Sequence, residues 1–214
     1  MRMNERVECV VNEFDRLFPN AQCELNYGNE LELLIAVMLS AQTTDASVNK
    51  LTKTLFQKYQ SVEDYANAPI EQLEKDLRTI GLYRNKAKNV KTMAQQLIVR
   101  FHGQVPCDRE ALQSLPGVGR KTANVVVSEG FKVPAIAVDT HVERVSKRLG
   151  LAKKDDSVLE VEKKLMKRIP KERWIKTHHQ MIFFGRYHCK SMNPQCQNCQ
   201  LISICKESKR LKKQ

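Results

Sequence analysis

The chain has 214 residues, enough for one sizeable core or two small lobes, and its 36 Lys plus Arg against 24 Asp plus Glu give a formal net charge of +12. Such a surplus draws polyanions, nucleic acid first and an anionic membrane face second. The most apolar run, Leu31 to Leu39, is too short to cross a bilayer, and the acid-bearing, amphipathic first eighteen residues lack the core of a secretory signal.

Taken in order, the pattern is helical almost throughout, and the predicted fold class is all-α. Val7, Val10, Val11, Phe14, Leu17 and Phe18 recur at three- and four-residue steps and define one face of a first helix. Residues 31–39, apolar on nearly all sides, predict a central buried helix; a buried strand is the alternative, disfavoured by the Leu, Met and Ala content. Val48, Leu51, Leu55, Phe56 and Tyr59 form the next stripe, and Ser61 can cap a short helix after it. Pro69 suits the first position of a helix carrying Ile70, Leu73, Leu77 and Ile80, which Gly81 is expected to end. A long stripe from Ala87 to Phe101 closes at Gly103, and Asp108 can cap a short helix through Leu115. Residues 133–139 read locally like a strand, but one strand has no partner, so an extended linker is expected. Asp139 can cap a helix bearing Val142, Val145 and Leu149 and stopping at Gly150, and two further helices are expected near 156–169 and 171–184. The basic end, residues 206–214, is expected to fray.

Cys189, Cys196, Cys199 and Cys205 form C-x6-C-x2-C-x5-C, four thiols within seventeen residues. Thiolates are soft ligands that favour zinc or iron–sulfur centres. Zinc ribbons usually bring two separated C-x2-C pairs, whereas here one pair is flanked by two single cysteines, which leans toward a cubane and leaves zinc as the rival. Cys9, Cys23 and Cys107 are scattered and are expected to be core or half-exposed thiols without a role. Seven cysteines, an odd number, without an export signal point to a reducing, cytoplasmic setting.

LPGVGRKTA (115–123) lies between two helical stretches. Gly117 and Gly119 permit a tight turn whose outward backbone N–H groups, with those of Val118 and Arg120 at the next helix start, make an anion site that could grip a DNA phosphate without reading bases. A plain helix–helix turn without a ligand is the alternative. Lys121 follows by two residues. Most lysines are solvated charges or phosphate partners; a nucleophilic role needs a free amine, which Arg120, the helix dipole and partial burial would each favour. Asp139, eighteen residues later in VDTHVERV, can cap its helix and also shuttle protons, and the two roles are compatible. His141 beside it could contact substrate or simply pack.

Together LSAQTTD (39–45), GLYRNKAKN (81–89), LPGVGRKTA, VDTHVERV and the cysteine loop, in this order, resemble the endonuclease III family of DNA glycosylases over nearly the whole chain. The resemblance implies two helical lobes flanking a cleft: a six-helix barrel with a helix–hairpin–helix over about 23–132, and a discontinuous lobe, 1–22 with 133–214, holding a [4Fe-4S] cluster on Cys189, Cys196, Cys199 and Cys205. It implies that Lys121 is the nucleophile and Asp139 its carboxylate partner across the cleft. Gln42 would fill the hole left by a flipped nucleotide, Leu82 would wedge into the opposite strand, and Lys190 would meet a phosphate. The implied activity is excision of oxidised pyrimidines from double-stranded DNA and β-elimination at the abasic site, by a monomer working at the nucleoid. An adenine-mismatch glycosylase would lack Lys121 and carry a further C-terminal domain. A non-enzymatic DNA-binding protein with a metal loop and an iron–sulfur electron carrier are the rivals from other classes.

Overall fold

The computed structural model describes residues 1–208, and residues 209–214 of the basic end lie outside it. Among the described residues there are eleven α-helices and no strand. The chain forms two compact units, one of residues 24–133 and one that joins 1–23 to 134–208.

The contiguous unit is built round α2 (Glu30–Leu39), whose residues Leu33 to Leu39 are all buried. A helix wrapped on all sides has no polar face, which is why this run shows no amphipathic period. It packs against α3 (Asp45–Lys58), α6 (Tyr83–Phe101) and α8 (Arg120–Gly130); α4 (Val62–Asn67) and α5 (Ile70–Leu77) lie on α6, and α7 (Arg109–Gln113) lies on α8. Short polar side chains start these helices. Asn29, Thr44, Ser61 and Asp108 each accept a hydrogen bond from a backbone amide in the first turn, and Ser61 forms a reciprocal box with Asp64.

The discontinuous unit packs α1 (Met3–Leu17) against α10 (Val158–Arg168) and α11 (Trp174–Phe183), both of which pack on α9 (Thr140–Arg148). Val7, Val10, Val11 and Phe14 meet Ile136, Val142, Val145, Leu165, Met181 and Phe184 in one core. Residues 133–139 run extended without a strand partner, with Ala135 to Val138 buried. Arg6 Nη1 donates to Leu149 O (2.7 Å) and Ile204 O (2.6 Å), and Arg173 forks onto both oxygens of Asp15 at 2.8 Å, tying the first helix to the last.

Several boundaries differ from expectation. Pro69 is the N-cap, one residue before α5 begins, and α5 stops at Leu77 rather than at Gly81. Ile80 is still buried, but from a tight turn closed by Ile80 N–H to Leu77 O at 3.1 Å. A turn of this period keeps residues three apart on one side, so the apolar spacing outlasts the helix. The left-handed residue that follows is Leu82 (φ 58°), not Gly81. Residues 171–173 form a 3-10 turn ahead of α11, and Phe184–His188 adds a π-helical turn after it. Cys9 and Cys107 are exposed and only Cys23 is half-buried, so none of the three belongs to the core.

Asp15 gathers Arg173, Lys176 (2.9 Å) and Gln180 (2.9 Å), and the Arg173 guanidinium above all holds its carboxyl far below the usual carboxylate range. The folded chain therefore favours the ionised form, and this contribution is complete above the ordinary carboxylate pKa of about 3.9 and fades as the pH falls below it. Asp15→Asn should be less stable at neutral pH and should lose less on acidification from pH 5 to pH 2 than the parent protein, as read from urea midpoints across that range.

Candidate functional site

The hairpin of the contiguous unit is shaped by Gly117. Its φ is 76°, and a Cβ there would lie 2.9 Å from the Cβ and Nδ2 of Asn89 on α6. Left-handed backbone and close approach both require glycine. Gly119 differs. It is the N-cap of α8 with φ −85°, and nothing lies within 4 Å of where its Cβ would be. Val118 is buried, and its amide donates to Leu115 O at 3.2 Å, so it braces the turn instead of presenting a donor. Ala123 N–H is the first to close onto the cap carbonyl, which leaves the amides of Lys121 and Thr122 without intrahelical partners. Donors at a helix start suit an anion.

Lys121 is the second residue of α8. Its side chain is exposed and makes no hydrogen bond or ion pair among the described residues, so its own unit does not supply the burial that would help to free its amine. Arg120, half-buried, precedes it. Two exposed turns of the same unit carry non-glycine residues in left-handed conformation: Gln42 (φ 53°) between α2 and α3, and Leu82 (φ 58°, 53% exposed) at the start of α6. The buried Lys86 of α6 donates through Nζ to Thr43 Oγ1 at 2.8 Å, joining the two turns.

In the other unit, Asp139 caps α9. Its Oδ1 accepts from the amides of His141 (2.9 Å) and Val142 (2.8 Å), while Oδ2 accepts no hydrogen bond among the described residues. One carboxylate oxygen thus fixes the side chain and the other is left available. His141 packs against Gly185, where a Cβ would come within 2.8 Å of its own, and its Nδ1 lies 3.1 Å from Arg144 Nη2. Burial lowers the His141 pKa, opposed by Asp139 and reinforced by Arg144 and Arg186, which favours a neutral ring accepting from Arg144. Arg144 also donates to Gly185 O (2.8 Å) and Cys189 O (3.2 Å).

The four C-terminal cysteines line one recess together with Leu149, Phe184, His188 and Ile202. Arg148, 5% exposed, holds this loop. Its Nη1 donates to Cys189 Sγ (3.4 Å) and Lys190 O (2.7 Å), and its Nε pairs with Glu207 at 3.3 Å. Lys190 itself is exposed. Burial first, with three neighbouring sulfurs adding, pushes the Cys199 thiol up to about 11, so a cationic centre beside it would favour its thiolate. No three His, Cys, Asp or Glu among the described residues converge on a single-ion position. Four thiols around one recess are a donor set that an iron–sulfur cluster accepts. Arg144, Arg148 and Lys86 escape a reading of the sequence alone, because a buried cation and a solvated one look alike as letters. Their helical spacing from buried neighbours is the available signal.

The chain matches the HhH-GPD superfamily of base excision DNA repair proteins over residues 35–171. It is 58% identical over 206 residues to endonuclease III of Bacillus subtilis (strain 168), covering 96% of this chain and 94% of the relative. The structure of a non-covalent endonuclease III–DNA complex superposes with a TM-score of 0.97 at 59% identity, covering 100% of both chains. That of a trapped endonuclease III–DNA covalent intermediate gives 0.95 at 60% identity, covering 98% of this chain and 99% of the other.

The contrast between the hairpin glycines is testable. Gly117→Ala should lose about 1–2 kcal/mol from the left-handed backbone alone, with the Asn89 clash in addition, while Gly119→Ala should lose less than about 1 kcal/mol. Equal losses in denaturant melts would contradict the geometry described.

Proposed function

Because the chain belongs to the endonuclease III family of the HhH-GPD superfamily, whose members carry a [4Fe-4S] cluster and act on damaged DNA as glycosylase and abasic-site lyase, we propose that it excises oxidised pyrimidines from double-stranded DNA and then cuts the strand 3′ of the abasic site. The observation that supports this most is Lys121, an unpaired amine in the first turn of a helix whose amides are open to a phosphate. The basic surface brings the duplex in, and the hairpin at Gly117, Gly119 and Arg120 grips its backbone. A damaged nucleotide unstacks more cheaply than an intact one and is turned out of the helix. Gln42 fills the gap and Leu82, exposed and apolar, inserts among the bases opposite; Lys190 meets a phosphate.

Lys121 Nζ then forms a bond to C1′ as the glycosidic bond breaks, and the base leaves with the bonding pair and a proton. Asp139 Oδ2 accepts a proton from the attacking amine and passes it to the departing base. Opening of the sugar ring yields a Schiff base, which acidifies the C2′ proton. Its removal expels the 3′ phosphate, and water returns the free lysine. His141 serves this chemistry by packing, since its ring is engaged with Arg144 and Gly185. Cys189, Cys196, Cys199 and Cys205 hold the cluster, which supplies a cross-link that sets the loop bearing Lys190. No helix among the described residues is long and apolar enough to cross a membrane, and the reading places the enzyme, as a monomer, in the cytoplasm at the nucleoid.

Borohydride reduction on duplex containing an abasic site should give a covalent protein–DNA adduct that Lys121→Gln abolishes while duplex binding persists. No adduct with the unaltered protein would refute the lyase assignment, and loss of binding with Lys121→Gln would make Lys121 a phosphate contact instead. The purified protein should be brown, with about four irons per chain; a colourless, zinc-loaded preparation would overturn the cluster assignment.

A further inference from the structure

Lys86 is the anomaly of the contiguous unit. It sits on α6, 6% exposed, and its ammonium meets a single hydrogen-bonding partner, the Thr43 hydroxyl at 2.8 Å. No carboxylate pairs with it among the described residues. Burial alone shifts its pKa, downward, and no neighbouring charge enters. A buried cation without a counter-charge is costly, and a methionine of similar length would fill the same space without that cost. A purely structural strut therefore does not account for an amine at this position.

Its surroundings do. Lys86 N–H closes onto Leu82 O at 3.0 Å, so the first turn of α6 begins at the left-handed Leu82. Its other end reaches Thr43, the neighbour of the left-handed Gln42. Thr43 is itself held by its amide to Ser40 O at 3.1 Å. One side chain thus fixes the spacing of two strained, exposed turns, and places an uncompensated positive charge beneath both. Strained backbone persists only where the surroundings over-determine it, and it gathers at sites that must be preorganised.

We propose that Lys86 is a positioning residue for recognition of damaged DNA: its buried ammonium locks the Gln42 turn to the Leu82 turn and is neutralised by the DNA backbone when both turns engage a lesion. The proposal rests on the reading of Gln42 and Leu82 as the residues that enter the duplex. Without a gain in stability, the device acts on discrimination, because undamaged duplex does not admit the two turns together.

Lys86→Met and Thr43→Val test it, with melting temperature, affinity for duplex carrying a tetrahydrofuran abasic analogue, affinity for the same duplex undamaged, and single-turnover cleavage against protein concentration. Lys86→Met should melt no lower than the parent, lose about tenfold in affinity for the analogue and less than about threefold for intact duplex, and shed about one unit of salt slope on the analogue. The half-saturating protein concentration should rise about tenfold while the saturating rate changes less than about twofold. Thr43→Val, which keeps the charge and cuts the tie, should lose the same discrimination with its salt slope intact. Equal losses on both duplexes, or undiminished discrimination in either folded variant, overturn the proposal. Should Lys86→Met not fold, Thr43→Val decides alone. A borohydride adduct with the unaltered protein, alongside undiminished discrimination in the variants, would reject the role of Lys86 and leave the glycosylase reading standing; absence of that adduct would reject the glycosylase reading itself.

Discussion

A guanidinium taken out of water must find acceptors for its N–H groups or leave a costly orphan, and in this protein that requirement organises the cysteine loop. Arg148 closes α9, and its donors reach the sulfur of Cys189, the carbonyls of Lys190 and Ser191, and the carboxylate of Glu207. Its own carbonyl accepts from Lys206 N–H at 2.8 Å. Both ends of the loop are therefore anchored to the last turn of one helix. The first turn of that helix is fixed by Asp139, and Arg144 between them braces His141, Gly185 and Cys189. A nine-residue helix thus sets the carboxylate of Asp139 and the cysteine loop in a constant relation, with hydrophobic packing of Val142 and Val145 holding the helix itself.

The contiguous unit achieves rigidity by other means. Its central helix is buried on every side, and the elements that project from it are turns, each pinned by one well-placed contact. Gly117 nests against Asn89, and Thr43 is tied to Lys86. Loops that carry function on a rigid scaffold are expected. Gln42 and Leu82 both hold left-handed backbone, a conformation that bulky side chains rarely adopt.

Much of this is legible as letters. Amphipathic stripes locate the helices because a half-buried helix must repeat near every 3.6 residues, and Ser61, Asp108 and Asp139 before those stripes mark their starts. The density of Cys189 to Cys205 announces a shared centre. The end of α5 is misplaced by its letters because Leu77 and Ile80 share a side in a tight turn as well as in a helix. Gly81 looks like the residue to leave a helix, yet Leu82 takes that backbone, its carbonyl held by the Lys86 amide at 3.0 Å. Arg148 and Lys86 stay hidden because their importance lies in burial, and burial of a cation depends on contacts distant in sequence. Exposure of Lys121 is equally invisible, since residues on either side of a helix start can face core or solvent.

The division of the chain also orders its assembly. Residues 24–133 make up their unit from one continuous segment, whereas α1 packs on partners that emerge from the ribosome only after that segment is complete. The fork between Arg173 and Asp15 joins residues 158 positions apart in the chain. A nascent N-terminal helix with Val7, Val10, Val11 and Phe14 uncovered must wait through the synthesis of more than a hundred residues, at roughly 5–20 residues per second. During that interval its apolar stripe is a site for chaperones or for mispairing, and the many charges on its opposite face are what keep the waiting segment dissolved.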